Sequence, residues 1–285
     1  MLNDEILKKY KKIVVNFSYI DKKMYFLQKN LQRSRRSLTY PKKCDIITVY
    51  DYVKARILKD MNDIKNVRLL IFDLDGTLAD TMCGIMDGVN MAMDRFGAPR
   101  HTYEEVCSYV GTGSRDLVRR ALPAELSEDE SFVDEAVKYY DSSCYPVTYK
   151  NGTKCYDGMI DALKTLKERG YTLAVLSNKR DIFVRPMVAE MIPEGLMSVA
   201  MGQRDELPKK PDPTVPRMIA ESLGFAPSET AFIGDSDTDI ETGKNAEMLT
   251  VGCVWGYRGR EVLQRAGADL LIDAPRDLTN LFLAF

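Results

Sequence analysis

From residue 67 onward the chain alternates short apolar runs with longer stretches of helical periodicity. The runs at 67–72, 173–176, 230–233, 249–254 and 269–272 read as strands buried on both faces, because their apolar residues are consecutive rather than alternating. Helical stretches lie between them at 157–169, 182–191, 213–223, 239–246 and 260–265. Gly170 follows the first of these at the place where a helix ends. Strand and helix taking turns predicts crossover units. The expected fold class is therefore α/β, a Rossmann-like, mostly parallel sheet flanked by helices.

Residues 81–149 break this rhythm. Their apolar spacing is helical throughout, over 82–96, 103–109, 114–121 and 127–140, with Ser127-x-x-Glu130 reading as a capping box. The pattern predicts an all-helical cap inserted straight after the first strand, dividing the α/β core into 66–80 and 150–285. An insert at that point sits over the carboxyl ends of the strands, where open α/β sheets bind ligands.

The leading residues, 1–65, follow a different rule. Ile6, Tyr10, Ile13, Phe17, Ile20, Met24, Leu27 and Leu31 step by four and three, the stripe of a long amphipathic helix. A shorter stripe runs from Ile46 to Met61, with Tyr40-Pro41 and the basic run at 33–36 as the break between them. The first 68 residues hold 17 Lys/Arg against 7 Asp/Glu, and the remaining 217 hold 23 against 35. A basic helical extension on an acidic body is expected. A solvated or packed helix is the preferred reading, and the stripe permits self-association. Binding of nucleic acid is not expected; it or an acidic membrane would show a steep salt dependence. Met61 could itself serve as a start, which would make the first sixty residues an appendage.

Composition narrows the class further. With 45% hydrophobic and 29% charged residues the chain is an ordinary globular protein. Six scattered cysteines without a C-x-x-C pair predict free thiols in a reducing compartment and argue against a zinc cluster. No apolar run reaches the roughly 18 residues of a membrane span. No secretory signal is evident, so a cytoplasmic location is expected.

In such a sheet the chemistry gathers after each strand. The first strand ends Asp73-Leu-Asp75-Gly76-Thr77, the second Ser177-Asn178-Lys179, and a later one Gly234-Asp235-Ser-Asp237-Thr-Asp239. Pro208-Lys209-Lys210-Pro211-Asp-Pro presents a lysine between rigid prolines. Carboxylates on two strand tips, with no imidazole or thiolate among them, suit a hard cation such as Mg²⁺. Clustered carboxylates repel one another unless a cation sits between them. A hydroxyl, a lysine and backbone amides complete a setting for a phosphoryl group. Lys209 competes with Lys210 for the lysine role, and His101 reads as a surface loop residue.

These motifs, in this order, resemble the haloacid dehalogenase superfamily of phosphatases over residues 67–285, and within it the phosphoglycolate phosphatase group. The cap segments Tyr109-Val-Gly111-Thr112-Gly113 and Leu117-Val-Arg119-Arg120-Ala-Leu122 resemble that group, as does the tail from Trp255 to Leu263. Thr112 stands where many relatives carry Asn. The resemblance implies that Asp73 is the nucleophile that forms an aspartyl-phosphate, and that Asp75 is the general acid and base. It implies Mg²⁺ held by Asp73, the Asp75 carbonyl and Asp235, with Asp239 orienting the shell. Ser177 and Lys210 bind phosphate oxygens, aided by the amides of Leu74, Asp75 and Asn178. Thr77 supports the turn and Asp75 beside the substrate. Gly111, Thr112, Gly113 and Arg115 are the expected cap contacts to a small phosphorylated metabolite. A sugar phosphomutase or a pyrophosphatase of the same superfamily stays open as an alternative. A dehalogenase would not need Asp75, and a signalling receiver domain would carry its phosphate-accepting aspartate where Ser177 stands.

Overall fold

The computed structural model describes residues 63–283. The stripes, the basic run and the self-association expected for residues 1–62 lie outside the described residues. In chain order the core elements are β1 (Leu69–Phe72) and β2 (Ala79–Asp80), then the cap helices α1 (Met82–Phe96), α2 (Tyr103–Tyr109), α3 (Ser114–Ala121) and α4 (Glu130–Tyr139). The chain returns through β3 (Lys154–Cys155), α5 (Met159–Glu168), β4 (Thr172–Arg180), α6 (Asp181–Met191) and β5 (Val199–Gln203). It closes with α7 (Thr214–Ser222), β6 (Thr230–Gly234), α8 (Asp237–Asn245), β7 (Leu249–Cys253), α9 (Gly259–Ala266), β8 (Leu270–Ile272) and α10 (Arg276–Phe282).

Six strands form one parallel sheet in the order β5-β4-β1-β6-β7-β8. β1 lies in the interior of the sheet between β4 and β6, and all four of its residues are fully buried. Leu70 and Phe72 enter the larger apolar cluster, whereas Leu69 and Ile71 join Val215 and Ile219 on the opposite face. A strand covered on both sides needs apolar residues at every position, which is why β1 reads as an unbroken run. After β1 the chain adds β4 and β5 on one side and then crosses to β6 on the other, so polar residues at the tips of β1, β4 and β6 meet at the point where the strand order reverses.

The apolar runs predict five strands, whereas the parallel sheet has six and the β2–β3 pair adds two short ones among the described residues. β5 was missed because its residues are mostly half-buried, so its apolar signal is diluted. β4 also continues past its apolar run through Ser177 and Asn178 to Arg180, carrying those side chains on a strand rather than a loop.

α1 to α4 lie between β2 and β3, which pair antiparallel with Ala79 opposite Cys155 and Asp80 opposite Lys154. The two chain crossings into and out of this helical unit therefore run side by side. The capping box expected at Ser127 is absent. Ser127 closes a separate short turn, and the Asp129 carboxylate accepts from the Ser131 and Phe132 amides to start α4. An acceptor two residues nearer the apolar stripe outcompeted the hydroxyl. A wide π turn, Tyr140–Cys144, follows α4 and passes into a helical turn, Tyr145–Thr148, with Pro146 near its start. Proline has no N–H to continue an α-helical ladder, and the Tyr145 amide bonds five residues back to Tyr140. Among the described residues no helix is long and apolar enough to cross a membrane, and the five described cysteines are free thiols.

Candidate active site

The turn after β1 begins with the Asp73 amide bonded to the Ile233 carbonyl at 2.9 Å, which keeps the carboxylate level with the tip of β6. Gly76 then adopts φ +81°, and a Cβ there would stand 2.4 Å from Asp235 Oδ2. Only glycine combines that left-handed backbone with so close an approach. On the other side of the turn, Asp235 Oδ2 accepts from the Tyr257 amide at 2.7 Å and Oδ1 from the Thr77 hydroxyl at 3.2 Å.

Asp73, Asp235 and Asp239 are all buried and present carboxylate oxygens within 4.8 Å of one another. Lys210 Nζ donates to Asp73 Oδ1 at 2.8 Å and to Asp239 Oδ1 at 2.7 Å. Burial pushes the Asp73 carboxyl up to about 7, against the opposing pull of Lys210 and with added push from Asp239 and Asp75. Burial, then the charges of Asp239 and Asp73, also raises Asp235 well above the carboxylate range. Burial alone would lower the Lys210 ammonium, but Asp239 and Asp73 outweigh it and hold Lys210 above the ordinary lysine value. One ammonium among three carboxylates leaves the cluster short of positive charge. An all-oxygen donor set with such a deficit fits Mg²⁺. Asp239 is the least available of the three as a direct ligand. Its Oδ2 already accepts from the Ser236 amide at 3.0 Å and hydroxyl at 2.6 Å, and its Oδ1 accepts from Lys210.

Asp75 stands apart from this cluster. Its Oδ1 accepts from Thr81 Oγ1 and from Lys179 Nζ, both at 2.5 Å. Both anchors end on Oδ1 and hold the carboxylate away from the Asp73, Asp235 and Asp239 group. The hydroxyl that bonds to Asp75 is that of Thr81, while the Thr77 hydroxyl donates to Asp235. Lys179 was not singled out from sequence. Its position two residues after Ser177 on an extended strand, pointing to the same side, was the available signal.

Ser177 and Asn178 are buried at the β4 tip. Ser177 Oγ accepts from the Lys179 amide at 3.3 Å, so its own proton is free to donate. The Asn178 side chain acts as a clip. Its Oδ1 accepts from the Lys210 amide at 2.8 Å, and its Nδ2 donates to the carbonyls of Lys210 at 3.1 Å and Gly111 at 3.0 Å. That clip decides between the two lysines. Lys210 turns inward to the carboxylates, whereas Lys209 Nζ donates to the Thr112 carbonyl at 2.8 Å and Asp116 Oδ2 at 2.6 Å.

Core side chains therefore grip the loop between α2 and α3 by its carbonyls. Arg258 joins them, donating to Cys107 at 3.0 Å and Val110 at 2.6 Å. The grip borders a cavity of about 50 Å³ between cap and core that stays open to solvent on one side, lined by Asp73, Asp75, Ser177 and Lys179 from below and Gly111, Gly113 and Ser114 from above. Arg115, expected there, is instead bonded to Glu130 and Asp134 on the cap surface. Its place one residue after Ser114 on a helix turns it some 100° away. Arg180 and Asp141 line the cavity in its stead. Thr112 contributes its carbonyl to Lys209 and is not among the lining residues. His101 is not a free surface residue; its Nε2 meets the Ala121 carbonyl at 2.7 Å within the cap. Trp255 Nε1 donates to the Thr77 carbonyl at 3.1 Å, a support for the β1 turn.

The family described as haloacid dehalogenase-like hydrolase matches residues 70–253. The chain is 34% identical over 216 residues to phosphoglycolate phosphatase 1 of Pseudomonas aeruginosa, covering 74% of this chain and 78% of that protein. It is 31% identical over 236 residues to phosphoglycolate phosphatase of Salmonella typhi, covering 76% and 93%. A solved structure from Lactobacillus delbrueckii subsp. bulgaricus superposes with a TM-score of 0.71 at 27% identity, covering 76% of this chain and 98% of that one. The order of the strands, the tips that carry the carboxylates and the lysine, and this similarity agree: the chain belongs to the haloacid dehalogenase-like hydrolase family.

Proposed function

We propose that this phosphatase is a Mg²⁺-dependent phosphomonoesterase that hydrolyses a small phosphorylated metabolite through an aspartyl-phosphate, in the manner of the phosphoglycolate phosphatases it is similar to. The observation that carries the reading is the buried group of Asp73, Asp235 and Asp239 bridged by Lys210. Mg²⁺ held by Asp73, Asp235 and the Asp75 carbonyl supplies the positive charge that lets a phosphate dianion approach carboxylates.

Asp73 attacks phosphorus and the ester oxygen departs. Lys210 and Ser177 donate to the oxygens of the transferring group, with the amides of Leu74 and Asp75 as further donors. Both anchors of Asp75 bind its Oδ1, which leaves Oδ2 to carry the proton. Asp75 gives that proton to the leaving oxygen, then takes one from the water that attacks the phosphorylated Asp73. The gripped cap loop limits other water during transfer.

The test is a phosphate-release screen of small phosphomonoesters with Mg²⁺, beside Asp73→Asn. Acid-quenched turnover of a ³²P-labelled ester should leave label on the wild-type protein and none on Asp73→Asn. Full activity in Asp73→Asn would end the proposal.

A further inference from the structure

Two residues that line the cavity carry buried polar atoms that the mechanism does not use. Asp141 Oδ1 and the Tyr145 hydroxyl are both buried, both belong to lining residues, and neither has a hydrogen-bond partner in the protein. Each sits where the cap helix departs from α geometry: Asp141 lies inside the π turn Tyr140–Cys144, and Tyr145 directly follows it. A π turn swings its side chains away from the direction an α-helix would give them, and such turns gather at functional sites.

The surroundings hold both groups in place. Asp141 Oδ2 accepts from Ser114 Oγ at 3.2 Å and faces Arg180 Nη1 at 3.5 Å, which leaves Oδ1 as the unengaged oxygen. The Tyr145 ring stacks on Tyr140 at 5.5 Å and meets Phe183 edge-on at 4.9 Å, and Lys179 Nζ lies 4.9 Å over it. Buried polar atoms are nearly always bonded, and a carboxylate oxygen in such a place calls for a donor. Burial already lifts the Asp141 carboxyl above its ordinary value.

This inference rests on the phosphomonoesterase reading and deepens it. We infer that Asp141 and Tyr145 form a hydroxyl-reading subsite, and that the leaving group of the substrate is an uncharged, hydroxylated carbon chain, a polyol or sugar phosphate. A hydroxyl donates to Asp141 Oδ1, and a second one exchanges a hydrogen bond with the Tyr145 hydroxyl. Arg180 beside Asp141 can donate to the same hydroxyl oxygen. A carboxylate leaving group, as in phosphoglycolate, brings no donor for Asp141 Oδ1, and the nearest cation, Arg180, is already drawn to Asp141 Oδ2.

Three esters separate the possibilities: glycerol 3-phosphate, ethyl phosphate and 2-phosphoglycolate, each assayed for phosphate release with Mg²⁺. The wild-type protein should prefer glycerol 3-phosphate to ethyl phosphate in kcat/KM by about tenfold or more, and also to phosphoglycolate. Tyr145→Phe and Asp141→Asn keep the shape of the wall, and each should pull the glycerol-to-ethyl ratio down severalfold. Asp141→Asn should also raise phosphoglycolate relative to glycerol 3-phosphate. A wild-type preference for phosphoglycolate, or ratios that neither variant moves, overturns the subsite while leaving the phosphatase intact. Release from none of the three, nor from p-nitrophenyl phosphate, overturns the phosphatase reading itself.

Discussion

Lys179 Nζ lies 2.5 Å from Asp75 Oδ1, and the two side chains are almost wholly buried together beside the cavity. With Thr81 on the same oxygen, the pair fixes which face of Asp75 is presented to a substrate. Proton transfer demands heavy-atom placement to within a few tenths of an ångström. Lys179→Ala is therefore expected to lower kcat by about tenfold or more, with a smaller change in KM. Steady-state kinetics with any ester that the wild-type protein turns over would check it. A kcat within twofold of wild type would remove Lys179 from the machinery.

The second prediction concerns pH in the absence of metal. A carboxyl raised to about 7 in the folded protein and near 3.8–3.9 unfolded holds more protons when folded. Stability then falls as pH rises through that window, from about 4 to about 7, and the loss is complete above it. Asp235 pushes in the same direction. The EDTA-treated protein should melt at a lower temperature at pH 8 than at pH 6, and Mg²⁺ should raise the pH 8 value more than the pH 6 value. Asp73→Asn should flatten the metal-free trend. Calorimetry across this range that shows stability rising with pH would contradict the burial argument.

Lys209 and Arg258 tie the core to carbonyls in the last turn of α2 and the loop between α2 and α3. Truncating either leaves those carbonyls to water and frees the cap edge. Hydrogen bonds from charged donors are worth about 1.5–3 kcal/mol each. Lys209→Ala with Arg258→Ala should speed amide exchange over residues 107–113 by roughly tenfold or more. Exchange as slow as in the wild-type protein would show that the apolar contacts of the cap hold the loop unaided.

Gly76 faces Asp235 across the turn after β1. Gly76→Ala imposes a left-handed alanine, at about 1–2 kcal/mol, and drives its Cβ into the Asp235 carboxylate. Both unfolding stability in urea and the gain in melting temperature on adding Mg²⁺ should fall. An unchanged Mg²⁺ response would mean that Asp235 keeps its position without Gly76.

Much of this architecture was legible because its signals are local. β1, β4, β6, β7 and β8 are short runs closed in on both faces, and burial writes itself directly into consecutive apolar residues. β5 left no such mark, since four of its five residues are only partly covered, unlike those of the other edge strand, β8. The cap helices showed their periodicity, but the cap start at Ser127 did not hold, because Asp129 offered the amides a charged acceptor. At the site, the aspartates could be named from their places after strands, and the lysine narrowed to Lys209 or Lys210 between prolines. Their partners were harder to name: Asp141 approaches from the cap, with no spacing relation to the motifs it serves, and nothing in the order of residues says that Thr81 and Lys179 turn to Asp75.

The order of apolar runs and strand-tip carboxylates, by itself, determined a parallel α/β sheet with a polar cluster at its carboxyl edge, because each of those features is set by near neighbours in the chain. Whether Lys209 or Lys210 faces Asp73, and whether Arg115 or Arg180 lines the cavity, was decided only in three dimensions. Neighbouring residues of the same charge are interchangeable to a sequence pattern. Packing separates them: the Asn178 clip turns one lysine inward and its neighbour to the cap, and the pitch of α3 carries Arg115 to Glu130 while β4 delivers Arg180 to the wall.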